Sequence, residues 1–318
     1  MKPELSHILS FSISVIGPVV LLIAFGYFLY KQKLMTDDFV ERASRLIFHF
    51  ALPALLFSSI SKSDLSTLTD LKTISVGISG TLIFFVVSLL VVPFLIERRS
   101  DRGVVIQGSF RANMGIIGLA YCQNAYGDIG LAYASIYMGC LTIVYNVLSV
   151  GILNIFNDGK QSLAIVLKGI ASNPIIIAII VSLSVAYFKL PIPNAIDNSI
   201  GYFAQLTLPL ALLCTGASLR FSSFSSDAKA AGISILAKCI FYPLLLVTVA
   251  IYFDIEGMAL GVVFLMAVCP TAAASYVMVR KIGGNHILAA HIIAISTLLS
   301  VPFTVLGYAL LSAKIGIN

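Results

Sequence analysis

About ten stretches of roughly 20 mostly apolar residues follow one another along this chain, separated by short charged breaks. At the 1.5 Å rise of a helix, a run of that length matches the hydrocarbon core of a bilayer, about 30 Å. Spans are predicted near residues 7–30, 39–61, 73–96, 103–126, 129–156, 163–188, 195–219, 230–253, 257–279 and 285–313. Composition agrees. Of 318 residues 59% are hydrophobic and 11% charged, and the mean hydropathy is +1.01, more than the surface of a water-soluble domain could carry. Lipid offers backbone polar groups no partner, so the expected fold class is an all-α integral membrane protein with ten transmembrane helices. The first stretch is long and lacks an Ala-x-Ala cleavage pattern, so it reads as a retained span rather than a leader.

Cys122, Cys140, Cys214, Cys239 and Cys269 lie far apart inside apolar stretches and read as small buried hydrophobes, not as metal ligands or disulfide partners. The net charge of +6 sits in short loops without interleaved aromatics, which argues against nucleic acid and for membrane orientation. With the N-terminus outside, the cytoplasmic side would hold Lys31, Lys33, Arg42, Arg45, Arg98, Arg99, Arg102, Lys160, Lys168, Arg220, Lys229, Arg280 and Lys281. The opposite side would hold only Lys2, Lys62, Lys72, Lys189 and Lys314, so the positive-inside rule favours both termini outside.

The chain also repeats. At an offset of 156, Gly17-Pro18 falls on Asn173-Pro174, Lys33-Leu34 on Lys189-Leu190, and Leu52-Pro53 on Leu208-Pro209. At 157, Gly127-Asp128 falls on Gly284-Asn285, and Leu131-Ala132 on Leu288-Ala289. Residues 1–156 and 163–318 then form two five-helix repeats joined by a short loop at 157–162. An odd helix count turns the second repeat upside down. Inverted repeats of this kind are a hallmark of secondary transporters, whose substrate sits at mid-membrane beside broken helices.

The fourth helix of each unit carries the expected break. Asn113, Gly115 and Gly118 crowd the first, where each glycine weakens a helix by about 1 kcal/mol. Pro270 removes a backbone donor in the second. Asn113 lies roughly 16 Å past Arg102 and Pro270 roughly 21 Å past Glu256 by helical rise, so both fall near the midplane. Backbone amides freed at these breaks would add donors for an anion. Glycine and proline are also common in ordinary membrane helices, and it is the paired placement that favours a functional break.

These residues resemble a known family. Phe50-Ala-Leu-Pro53-Ala-Leu-Leu-Phe57, Arg111-Ala-Asn113-Met-Gly115-Ile-Ile-Gly118, Asn173-Pro174, Leu208-Pro209-Leu-Ala-Leu-Leu-Cys-Thr-Gly216-Ala-Ser-Leu219 and Pro270-Thr-Ala-Ala are similar to segments of the auxin efflux carrier family, over nearly the whole chain. The resemblance implies helices four and nine crossing at broken points, and elevator-like alternating access for small carboxylates such as malate or malonate. It also implies a fold akin to the bile acid/sodium symporter superfamily, a bacterial-type inner membrane, and a homodimer. The long hydrophilic central loop of the plant carriers is missing, which puts this chain with the short bacterial members.

All fourteen acidic residues fall in or beside predicted loops, so no carboxylate is left for a proton relay at the bilayer centre. Two cations do enter the spans. Arg111 lies nine residues past Arg102 and Lys238 nine past Lys229, each about 13 Å into the membrane. A charge at a helix centre costs about 2.5 to 3.5 kcal/mol, and an anionic substrate could offset it. Arg111 offers a planar fork for a carboxylate, and Lys238 a movable point charge. Snorkelling or carbonyl pairing is the competing account of both, and the better one for Lys238. Asn113, Gly115, Pro270, Thr271, Ser275 and Tyr276 complete the candidate substrate site. Each hydroxyl there could equally satisfy broken backbone.

The coupling ion reads as either sodium or a proton. Ser58, Thr207 and Thr215, with Asn113, supply neutral oxygens for the first, and His291 a titratable ring for the second, although a lone histidine more often bonds a neighbouring helix. No His-Glu-x-x-His, aspartate pair or phosphate-binding Gly-Lys loop is present, so an enzyme is not expected and no metal or organic cofactor is called for. A channel or a receptor fits less well than a carrier, because paired broken helices favour alternating access. The expected partners are a small organic anion and the lipid bilayer.

Overall fold

A computed structural model describes residues 5–63, 70–157, 168–220 and 227–315. In chain order the helices are α1 Leu5–Lys31, α2 Asp37–Ser61, α3 Leu71–Leu95, α4 Arg99–Phe110, α5 Met114–Asn157, α6 Pro174–Phe188, α7 Asn194–Ala217, α8 Ala228–Tyr252, α9 Gly257–Val268, α10 Ala274–Ile282 and α11 His286–Ile315. Seven of the described helical stretches are long and apolar enough to cross a membrane, and α6 and α9 are shorter apolar helices. The expected fold class therefore stands at the level of an all-α, multi-pass membrane protein. Most of the loop expected at 157–162 lies outside the described residues, and so do residues 163–167 of the expected sixth span.

Local chemistry explains most of the boundaries. Asp70 caps α3 by accepting from the Lys72 and Thr73 amides at 3.0 and 3.2 Å. Asn173 accepts from Ile175 N–H at 2.9 Å with Pro174 in the first turn, so α6 starts at Pro174, inside the span expected at 163–188. Gly127, at φ 61° and ψ −150°, divides the long α5 into two arms at the predicted boundary between residues 126 and 129. Single π-helical turns interrupt three helices: Ile47–Ala51 in α2, Met114–Gly118 at the head of α5, and Ala237–Phe241 in α8.

The helices pack as two groups. In one, α1 lies along α7 and α2 along both α6 and α7. In the other, α3, α4, α5, α8, α9, α10 and α11 surround the fully buried stretches of α4 and α9. Charged contacts gather at the two ends of the molecule. At one end Arg98 lies 3.8 Å from Asp101 and 4.0 Å from Asp227, Asn285 donates to Asp101, and Arg220 pairs with Asp37. At the other Lys62 pairs with Asp197 at 2.9 Å, and Tyr133 donates to Asp70. Between the ends, Leu21, Leu90, Val86 and Ile180 stand exposed, as side chains facing lipid must. Phe94, Tyr187, Phe188, Tyr252 and Phe253 are exposed at helix ends, where aromatic side chains favour the membrane–water boundary.

Candidate functional site: the crossing of two broken helices

Two helices stop in the middle of the second group. α4 ends at Phe110, and Arg111-Ala112-Asn113 runs extended before the π turn of α5. α9 ends at Val268, and Cys269 to Ala273 form a bend before α10. The two extended pieces lie antiparallel, with Ala112 opposite Thr271. Asn113 N–H donates to the Pro270 carbonyl at 2.8 Å, and Ala272 N–H to the Arg111 carbonyl at 2.9 Å.

The amides expected to be free at the breaks are therefore partly spent. A proline cannot donate, but its carbonyl can accept, and the amide of Asn113 is committed to it. Thr271 is fully engaged, its hydroxyl donating to the Gly108 carbonyl at 2.7 Å and its N–H to Ser296 Oγ at 3.1 Å. It fastens the crossing to α4 and α11.

Each half-helix that ends here directs unsatisfied carbonyls, the negative end of its dipole, toward the crossing. A cation stands at both. Lys238, fully buried, is carried to this depth by the π turn of α8 and donates to the Ala267 carbonyl in the last turn of α9 at 2.6 Å. Its ammonium also lies 4.4 Å from the centre of the Tyr242 ring. Tyr242 in turn bonds Thr81 at 2.9 Å and Tyr145 at 2.7 Å, joining α3, α5 and α8 behind the crossing.

Arg111 closes α4 and is 8% exposed. Its guanidinium donates to Asn146 Oδ1 at 2.8 Å and Ser149 Oγ at 3.1 Å, both on the second arm of α5. No carboxylate among the described residues pairs with it, and its Nε has no hydrogen-bond partner. A buried cation held only by neutral oxygens has its charge uncompensated by any described carboxylate, an arrangement that is costly unless an opposite charge joins it.

The other expected site residues separate into groups. Asn113 is buried at the crossing, and its carbonyl accepts from Ile117 and Gly118, both at 3.2 Å. Gly115 faces Met138 of its own helix α5 and, across the seam between the two helix groups, Leu52 of α2. Ser275 is buried in the first turn of α10 with no partner for its hydroxyl. Tyr276 turns its ring to His286, 5.9 Å away at the head of α11. His291 is buried in α11.

Thr207 donates to the carbonyls of Ala51 and Phe203, and Thr215 to that of Ala211. Eight residues apart on α7, these two hydroxyls are separated by about 12 Å of helical rise and do not converge on one ion. Ser58 lines a cavity of about 1040 Å³ between α1, α2, α7 and the first arm of α5. Lys62, Asp128, Asp197 and Asn198 stand around the same cavity, at the end of the molecule that carries the Lys62–Asp197 pair. None of the eight expected substrate-site residues lines it.

Sequence reasoning did not single out Ser149 or Gln107. Ser149 lies one turn from Asn146 on the same helix face, and Gln107 one turn before Arg111, so helical spacing from Arg111 outward was the available signal.

The model of a family described as "Membrane transport protein" matches residues 11–308. A protein of Rhizobium meliloti (strain 1021) named "Putative malonate transporter" is 24% identical over 293 residues, which cover 90% of this chain and 91% of that one.

Proposed function

The chain belongs to the membrane transport protein family, the auxin efflux carrier family of the sequence resemblance, and we propose that it is a secondary active transporter of a small organic anion bound at the crossing of its broken helices. The observation that carries this reading is Arg111, a guanidinium at mid-helix depth with two neutral partners, a nitrogen, Nε, that has none, and no carboxylate paired with it among the described residues. An anion is the group that such a site lacks. Around it Asn113, Gly115, Pro270, Thr271 and Ser275 form the floor of the site, and Lys238 sets its positive potential from behind. A small dicarboxylate such as malonate or malate is the substrate class, since the guanidinium fork suits a carboxylate and the similar Rhizobium protein is named for malonate.

The chain crosses a bacterial-type inner membrane ten times, in two inverted five-helix repeats at residues 1–156 and 163–318, with both termini outside. Packing supports the repeat. Shifting by half the chain exchanges the α1–α7 contact with the α6–α2 contact, and Thr207 bonds the carbonyl of Ala51, its own counterpart at offset 156. Transport follows when the group holding the crossing slides against α1, α2, α6 and α7 along the seam that the cavity already opens.

A thermal-shift screen of the purified protein against mono- and dicarboxylates, with and without sodium, tests this. Stabilisation by small carboxylates, and not by neutral or cationic analogues, is expected. Stabilisation by organic cations alone would overturn the proposal.

A further inference from the structure

Buried polar atoms without partners are rare in folded chains, and each costs about 1–3 kcal/mol. Three of them belong to the segments that meet where α4 approaches α10. Arg111 Nε lies at the end of α4, Gln107 Oε1 one turn earlier on the same helix, and Ser275 Oγ in the first turn of α10. Backbone bonds tie them together: Arg111 N–H donates to the Gln107 carbonyl, Ala272 N–H to the Arg111 carbonyl, and Ser275 N–H to the Ala272 carbonyl. The Gln107 amide holds only a 3.8 Å contact from its Nε2 to Met278 Sδ, one turn beyond Ser275 on α10. Gln107 itself is fully buried.

Resting on the proposed transport function, we infer that these three groups form a carboxylate subsite and that Gln107 is a substrate-binding residue. The first turn of α10 has no side-chain cap, and a helix N-terminus attracts negative charge. Arg111 Nε–H and Ser275 Oγ–H are donors. A half-turn of the Gln107 amide costs only the weak sulfur contact and presents its NH2 to the same point. Two donors without a protein partner, Arg111 Nε–H and Ser275 Oγ–H, and a third freed when the Gln107 amide leaves Met278 Sδ, stand beside a helix N-terminus and suit an oxygen anion. The subsite lies on the α4–α10 side of the crossing, so one carboxylate of the substrate sits there and the remainder faces the π turn of α5. A single carboxylate suffices to occupy it, which makes the second acid group of a dicarboxylate a determinant of selectivity and not of anchoring.

Calorimetric titration of the purified full chain with malonate, malate and acetate tests the assignment, using Gln107→Leu, Gln107→Glu and Ser275→Ala. Leucine keeps the contact with Met278 and removes an unsatisfied oxygen, so its unfolding temperature should match or exceed that of the wild type. Its affinity for every acid that the wild type binds should fall about tenfold, the equivalent of one lost hydrogen bond to a charge. Glutamate places a negative charge in the subsite and should abolish binding, and alanine at 275 should weaken it as leucine does at 107. Wild-type affinity in Gln107→Leu and Ser275→Ala, with the wild type binding these acids, overturns this inference alone. A wild type that binds none of the three overturns the proposed function and this subsite with it.

Discussion

Asn113 N–H donates to the carbonyl of Pro270 at 2.8 Å, so the break in one helix is held by the break in the other. Together with the return bond from Ala272 to Arg111, it makes the crossing a single fastened unit. Arg111 lies on one of its two extended segments and Ser275 follows the other in the first turn of α10, so the relative position of their main chains is set by backbone rather than by flexible side chains. A site that must keep its shape while its surroundings move is built in this way.

Pro270→Ala tests the value of the break. Proline costs about 3 kcal/mol relative to alanine inside a helix, and its removal lets α9 extend toward α10 at the expense of the crossing. Uptake should fall by roughly tenfold or more while the unfolding temperature holds or rises. Thermal unfolding and initial uptake rates, measured on the same preparation, check both halves.

Lys238→Met separates a supporting cation from a ligand. The substitution leaves the Ala267 carbonyl without its donor and the end of α9 without its charge. A stability loss of about 1–3 kcal/mol is expected, read from unfolding in detergent. Unchanged stability with weakened acid binding would make Lys238 a ligand instead.

Asp70 gives a pH signature outside the spans. Burial pushes its carboxyl up, but hydrogen bonds from the Thr73 hydroxyl and amide, the Tyr133 hydroxyl and the Lys72 amide outweigh it, and the net direction is below the usual carboxylate value. A depressed carboxyl contributes stability above its unfolded value, and that contribution is lost as pH falls through the folded one. Asp70→Ala should cost about 1 kcal/mol near neutrality, as the loss of a helix cap does. The gap to wild type should close as acidity passes below about pH 4. Unfolding curves across that range decide it.

Gly26 and Gly216 bring α1 and α7 into backbone contact. A methyl group at 26 would run into the Leu213 carbonyl, and one at 216 into the Ile23 carbonyl. Because backbone cannot rotate away, Gly216→Ala should cost about 3 kcal/mol or more, the upper range of overpacking. Gly232→Ala, which meets nothing inside α8, should instead stabilise by up to about 1 kcal/mol, the helix preference of alanine over glycine. Expression level and unfolding temperature of the pair give the comparison.

Much of this arrangement was legible in the residues. Glycines around Asn113 and a proline at 270 disclose weak points in apolar helices, because helix propensity is local. Gly127 marks its turn for the same reason. What binds the two weak points together is a contact 157 residues apart in the chain, and no local preference encodes it. Lys238 could be read as a buried cation, but its partner is a main-chain carbonyl, which has no signature in side-chain identity. Arg111 is disclosed by depth alone, whereas Asn146 and Ser149 matter because helix geometry turns them to it. Ser58, Thr207 and Thr215 looked like a set by chemistry, and helical rise keeps the two threonines apart.

Counterflow of radiolabelled malonate into proteoliposomes preloaded with unlabelled malonate tests the central claim most directly, with wild type and Arg111→Ala compared at matched incorporation. The wild type should accumulate label transiently above equilibrium and saturate with concentration, and Arg111→Ala should accumulate none. Equal accumulation by a folded Arg111→Ala protein would contradict the placement of the anion at the crossing.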